Sequence, residues 1–169
     1  NAAHRVVLTE RLDRLLAFDA ESGVLRAEAG MTMQKLIDFA LPRGWFPLVT
    51  PGTQFVSLGG CVAADVHGKN HHHDGAFSTC VRGLGLFEAG GGGHGGGREE
   101  NTAAFFATSG GMGLTGIIGE VELQLRPVES AHIEATHHAA RNLEHAFELF
   151  EQHHDATYSV AWIDLQARG

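Results

Sequence analysis

Cysteine is nearly absent from this sequence, with only Cys61 and Cys80 in 169 residues. Two thiols are too few for a disulfide framework, and their separation is neither that of a metal knuckle nor that of a redox pair. They read as buried, reduced thiols. Positive charge is also scarce. Lys plus Arg is 12 against 20 Asp plus Glu, for a formal net charge of -8, so the electrostatic footprint of a nucleic-acid binder is missing and no nucleic acid is expected as a partner. Long apolar runs are missing too: none approaches the roughly 18 residues that a membrane-spanning helix needs. The chain opens without a charged-then-apolar leader, which favours a cytoplasmic location or association with a membrane rather than secretion. Its first residues lead almost at once into the apolar run Val6-Val7-Leu8, as if a larger chain were entered partway.

Glycine is what the sequence has in excess. There are 23, against a usual share of about 7%, and 19 of them fall between Gly52 and Gly119, which leaves four elsewhere. With 43% hydrophobic and 19% charged residues the chain is otherwise ordinary and globular, and its length suits one domain with a real core.

The patterns along the chain mix strands and helices. Val6 to Thr9 reads as a short strand. Ala17–Asp19 and Val24–Ala29 read as two more, joined by the turn Glu21-Ser22-Gly23. Met33, Leu36, Ile37, Ala40 and Leu41 recur at spacings of three and four, which predicts an amphipathic helix from Thr32 that Pro42 and Gly44 end. Further strands are predicted over 45–49, 82–89, 115–127 and 158–165, and helices over 103–108 and 141–152. No regular alternation of strand and helix is present. The class is therefore α+β, a mixed or antiparallel sheet of about five strands flanked by helices.

Three features resist assignment to a core. His71-His72-His73 is consecutive, and consecutive side chains cannot all face one metal, so a solvated loop is expected and no metal site. The histidines around the last helix lack the spacing of a helical metal pair. The run Gly90–Gly97, interrupted only by His94, has no side chain with which to pack and is costly to order, so it reads as a flexible hairpin tip.

The chemistry concentrates in Pro51–His73, PGTQFVSLGGCVAADVHGKNHHH. Gly52, Gly59, Gly60 and Gly68 allow close approach of another molecule, and Thr53, Ser57 and nearby amides are donors, which suits a diphosphate. Between residues 51 and 119 only Lys69, Arg82 and Arg98 are cations, so amide dipoles would have to do most of the holding. The pattern matches neither the G-x-G-x-x-G fingerprint nor the phosphate loop of nucleotide triphosphatases.

The stretch PGT-x3-S-x-GG-x4-D-x-HGKNHH, followed by FFATSGGMGLTGIIGEVELQL, closely resembles the FAD-linked oxidases of the vanillyl-alcohol-oxidase type, with their PCMH-type FAD-binding domain. Within that family it looks most like the decaprenylphosphoryl-ribose oxidase branch. The resemblance implies FAD as cofactor and the second, larger subdomain of the flavin-binding domain as fold. It also implies a boundary: residues 1–128 as that subdomain, with the family's smaller N-terminal FAD subdomain absent, and 129–169 as the truncated start of the substrate or cap domain. Carried over position by position, it assigns Gly52, Thr53, Ser57, Leu58, Gly59 and Gly60 to the loop around the diphosphate. Ala64, Asp65, Val66, His67 and Gly68 would run along the flavin, Asn70 and His71 would lie toward the substrate, and Met112, Gly113, Gly116 and Ile118 would form a second turn near the cofactor. His67 is the candidate catalytic residue.

The implied reaction is oxidation of a CH–OH group of a sugar or alcohol, free or lipid-linked, by hydride transfer to the flavin, with a quinone or oxygen as electron acceptor. The family's distal catalytic lysine has no counterpart in the sequence, so a fragment inactive by itself is expected. The competing reading is a non-catalytic FAD-binding or interaction domain.

Overall fold

The computed structural model describes residues 7–88, 90 and 92–166. Residues 1–131 form one compact unit and 132–169 another. In the first, the elements run β1 (Leu15–Asp19), β2 (Val24–Glu28), α1 (Met33–Ala40), β3 (Trp45–Pro47), α2 (Leu58–Ala63), the single turn α3 (His71–Asp74), β4 (Val81–Phe87), β5 (Gly93–Gly97), α4 (Thr102–Thr108) and β6 (Ile117–Pro127). Short 3-10 turns follow α1 at Leu41–Arg43 and precede β4 at Phe77–Thr79.

The sheet is antiparallel at every pairing, in the order β1-β2-β6-β4-β5, and β3 pairs with the far end of β6. It has six strands among the described residues, against about five expected. Directly opposed pairs share a face, and Leu25 with Leu123, Ala27 with Val121, Leu84 with Val121 and Leu86 with Ile118 place the core on one side. The register explains an oddity in β6, where the buried positions are 118, 119, 121, 123 and 125 rather than strictly alternate. Gly85 faces Glu120 while Leu86 faces Ile118, so Gly119 is an extra, bulged residue that resets the phase.

Helices close that face. Thr32 caps α1 by accepting from the Lys35 amide, and the helix buries Met33, Leu36 and Ala40 as its periodicity predicts. Leu58, Cys61 and Val62 of α2, Phe77, and Phe105 of α4 complete the core. Burial pushes the thiols of Cys61 and Cys80 up to about 12, so both are inert, protonated fillers. The opposite face carries Arg26, Glu120, Glu122 and Gln124 and is polar.

Four expectations need correction. Residues 7–9 form no strand, and Val6 lies outside the described residues; the first strand instead begins at Leu15, where Arg14 is fixed by Glu28. The expected strand over 158–165 is irregular, because the second unit offers it no strand to pair with among the described residues. His71–His73 form a helical turn rather than a loop. The glycine run, apart from Gly91, which lies outside the described residues, is mostly strand. Gly93–Gly97 pair with Phe87–Gly83, and the Glu88 amide closes the hairpin on the Gly92 carbonyl. Backbone hydrogen bonds need no side chain. Gly96 is buried under α4, and a methyl group there would stand at an ordinary 3.5 Å from the Phe105 nitrogen.

The second unit contains α5 (Leu143–Gln152), capped by Asn142, whose side chain accepts from the His145 amide. Its Leu143, Phe147 and Phe150 are exposed. No helix among the described residues is long and apolar enough to cross a membrane.

Candidate functional site

Helix α2 is only six residues long, yet the chain returns to its two ends from distant places in the sequence. At its start, the 50–57 loop is stitched to α1 and the turn before it. Met33 donates to the Val56 carbonyl, Gln34 to Gln54, Leu58 to Met31 and Gly59 to Ala29. Ser57 caps the helix by accepting from the Gly60 amide at 3.2 Å. The amides of Leu58, Gly59 and Gly60 are therefore consumed inside the fold; Leu58, expected at the cofactor, is wholly buried in the core, and of the three only Gly60 is exposed, as bare surface rather than a free donor. Gly59 is there for packing, since a methyl group would meet the Ala29 side chain at 3.0 Å. Gly60 is exposed, as is Ala64 one turn on, which leaves a strip of α2 without side-chain relief.

At the other end, the second glycine segment folds over the helix. The Gly110 amide donates to the Val62 carbonyl at 3.0 Å and the Met112 amide to Ala63 at 2.8 Å, which satisfies carbonyls that a helix end leaves open. Gly110, Met112 and Gly113 all have positive φ, the last of them open to its surroundings. Gly111 is needed because a methyl group would lie 2.1 Å from the Ala107 carbonyl oxygen. Gly116, at φ 152, passes 2.9 Å from the Phe87 carbonyl by the same measure, and Ile118 enters the core. Met112 and Leu114 are strongly exposed, at 72% and 89%. Two glycine clusters some 50 residues apart in sequence thus share one small helix.

Beyond α2 the chain leaves through Asp65, a non-glycine residue at φ 42. Its carboxylate accepts from the Ser78 amide at 2.7 Å and from the Ser78 hydroxyl at 3.1 Å, so this side chain is spent on the fold. Val66 is half-buried and accepts from the Phe77 amide. His67 follows, bridged through its backbone to Ala76, with an exposed side chain whose ring lies 5.2 Å from that of His71.

Gly68 and Asn70 lock this segment from behind. A methyl group on Gly68 would stand 2.6 Å from the Thr50 carbonyl oxygen and 2.8 Å from Asn70 Oδ1. Asn70 is wholly buried, so it presents nothing to a substrate, contrary to its expected placement. Its amide nitrogen donates to the Leu48 carbonyl at 2.7 Å and to Asp74 Oδ2 at 2.6 Å. Both partners are acceptors, which fixes the orientation of the amide. Its Oδ1 has no hydrogen-bond donor and lies beside Gly68, 2.8 Å from where a methyl group on that residue would stand. Arg126, at the end of β6, closes the set with 3.1 and 3.0 Å bonds to the two Asp74 oxygens. Leu48, Asp74, Ser78 and Arg126 were not expected at the site. Asp74 sits four residues after Asn70 and could have been suspected, whereas Arg126 is brought in only by the sheet.

Pro51, Gly52 and Thr53 border an open hollow of about 350 Å³, lined also by Met33, Ile37, Gln54 and Phe55. Gly52 and Thr53 are exposed there, and nothing lies within 4 Å of a methyl group placed on Gly52.

The family described as FAD binding domain matches residues 3–94, more than half of the chain. The chain belongs to this family. Decaprenylphosphoryl-beta-D-ribose oxidase of Mycolicibacterium smegmatis is 34% identical over 97% of this chain and 36% of its own length. An uncharacterized protein in the mprA 5′ region of Streptomyces coelicolor is 39% identical over 82% of this chain and 38% of its own length. The chain thus spans little more than a third of the curated relatives it matches. In structure it is similar to 6-hydroxy-D-nicotine oxidase from Arthrobacter nicotinovorans, with a TM-score of 0.63 over 69% of this chain, 25% of that chain and 23% sequence identity, a likeness of fold. The cofactor is FAD, and the family is one of FAD-linked oxidoreductases. The geometry fits it: exposed bare backbone at Gly52, Gly60 and Gly113 and the exposed Met112 leave room for a long, flat ligand along α2.

Proposed function

We propose that this chain forms the flavin-holding part of an oxidoreductase that oxidises a CH–OH group of a sugar or alcohol, free or lipid-linked. The observation that carries the reading is the meeting of the two glycine segments on α2, through the Gly110–Val62 and Met112–Ala63 bonds, beside an exposed His67. Bound FAD supplies a hydride acceptor at its N5, chemistry that protein side chains lack.

The chain's own residues have simpler tasks. Gly52, Thr53, Gly60, Ala64 and Gly113 leave surface bare for the cofactor, and Met112 and Leu114 offer it apolar contact. His67 is held by its backbone while its imidazole stays free to hydrogen-bond, which suits a group that holds or receives a hydroxyl proton next to the ring. Asp65 sets the turn that aims it. The electron acceptor of the whole enzyme is a quinone or oxygen.

Titration of the purified protein with FAD, followed by flavin fluorescence, tests the cradle. Saturable quenching that weakens in Gly60→Leu is expected, and unchanged affinity in that variant would remove α2 from the cofactor site. Anaerobic mixing of FAD-loaded protein with sugars, alditols and lipid-linked pentoses then reads the reaction as bleaching of the flavin band. Bleaching by one of them would place the reaction on this part, whereas FAD binding without bleaching is the result expected of a flavin-holding part alone.

A further inference from the structure

The Asp74–Arg126 pair lies outside the apolar core, and Asp74 ends the turn that His71 opens, next in sequence to the segment of the exposed His67. We propose that Asp74 and Arg126 are positioning residues that set the His67–His71 ring pair, an assignment that rests on the flavin-site reading above for its functional meaning.

The argument follows the backbone from the ion pair outward. His67 and His71 lie on a loop whose base is fixed three times: Asp65 to Ser78, Phe77 to the Val66 carbonyl, and the His67–Ala76 bridge. Those ties fix His67 alone. His71 opens the turn α3, which is held at its start by the His71 amide on the Gly68 carbonyl and by Asn70 Nδ2 on the Leu48 carbonyl, and is fastened at its other end by Asp74. There the Asp74 amide donates to the Asn70 carbonyl, the Gly75 amide to His71, and the Thr79 hydroxyl to the Asp74 carbonyl. The Asp74 carboxylate then holds Asn70 Nδ2 and both bonds from Arg126.

Arg126 belongs to the longest strand of the sheet, paired there with Phe46 of β3, so it is a rigid reference. The side chains of Arg126 and Asp74 are only 26% and 18% exposed, which shields the pair from solvent screening. One guanidinium nitrogen of Arg126 reaches both Asp74 oxygens, a charge-assisted contact that fastens the carboxylate to β6. The chain of rigid contacts is therefore β6, Arg126, Asp74, α3, His71, and by ring contact at 5.2 Å, His67.

The experiment uses the FAD-loaded protein with Asp74→Ala, Asp74→Glu, Arg126→Gln and the double variant Asp74→Asn with Arg126→Met, which leaves no unpaired charge buried. Three quantities are read: the proton–proton NOE between the His67 and His71 rings, the position of the visible flavin band, and the thermal midpoint. Loss of the NOE with a displaced flavin band in Asp74→Ala and Arg126→Gln, and return of both in Asp74→Glu, is the expected result. Where a single variant does not fold, the double variant decides, and it is expected to lose the NOE. A lowered thermal midpoint with NOE and flavin band intact in the folded variants would overturn the proposal and leave the pair a plain structural tie. His67→Ala separates the two layers: if it leaves the flavin band unmoved, the placement of His67 beside the flavin fails, while the NOE series judges the positioning by itself.

Discussion

Gly68→Ala and Gly52→Ala are chemically the same change, made sixteen residues apart, and the structure assigns them opposite results. At Gly68 the new methyl group would stand 2.6 Å from the Thr50 carbonyl oxygen and 2.8 Å from Asn70 Oδ1, with the Thr50 nitrogen at 3.3 Å. None of these is the loose end of a flexible side chain. Two belong to backbone, and the third belongs to a wholly buried asparagine held at Leu48 and Asp74. Overpacking a fixed site costs about 1–3 kcal/mol. If Asn70 gives way, its two bonds weaken as well, at about 1 kcal/mol each. The expected loss is about 3–5 kcal/mol, a large part of the roughly 5–15 kcal/mol that holds a domain of this kind together. Gly52 has nothing within 4 Å of such a methyl group, so Gly52→Ala should be neutral, or stabilising by up to about 1 kcal/mol through the unfolded chain.

Urea unfolding followed by Trp45 fluorescence reads both. That indole packs over Gly23 and donates to the Ala20 carbonyl at 3.2 Å, so it reports loss of the β1–β2 turn. With a denaturant slope of about 1–3 kcal/mol/M, the Gly68→Ala midpoint should fall by roughly 2 M. A midpoint for Gly68→Ala equal to that of the parent, or an equal fall for Gly52→Ala, would refute the steric reasoning.

Glu28 accepts from Arg14 through both the guanidinium and the backbone amide, which holds its carboxyl below the ordinary 4.5. The unfolded chain takes up this proton first, so the contribution is present above about pH 4.5 and is lost as pH falls through the lower folded value. Acid titration of the urea midpoint should show that loss in the parent and a flatter profile in Glu28→Gln. The two thiols carry the opposite sign: their values are raised from 9.0 to about 12, so stability should decline as pH rises above 9.0, where unfolded thiols ionise and buried ones cannot. A disulfide reagent at neutral pH should accordingly label neither cysteine until urea is added. Gly95→Thr, in a strand with its nearest neighbour at an ordinary 3.8 Å, should raise the thermal midpoint, by up to about 1 kcal/mol in stability, since threonine suits a strand and glycine does not.

Periodicity made the hydrophobic elements legible, because burial imposes the pattern that the eye reads. Helix α1 and strand β6 stood where their apolar spacing put them. The glycine strand β5 carries no such pattern, and it exists through the carbonyls and amides of β4, which no composition reveals. The site was legible as motifs and only partly as roles. Asp65, Gly59 and Asn70 stand within the motifs, yet their side chains or bare carbons serve the fold, and only their surroundings tell this. Asn70 needed Leu48 and Asp74, with Arg126 behind Asp74, before its burial made sense.

The order of the sheet also dictates when the molecule can form. The last strand made is the one in the middle: β6 separates the hairpin β1–β2 from the hairpin β4–β5, and each meets the other only through it. A ribosome that has released everything up to Thr115 has produced two isolated hairpins and some short helices, each too small to be stable alone. Their apolar faces, Leu25 and Ala27 on one side and Leu84 and Leu86 on the other, stay open until residues 117–125 arrive to lie between them. Folding of this unit is thus a late and concerted event governed by distant contacts, slow by comparison with a helical bundle of equal size.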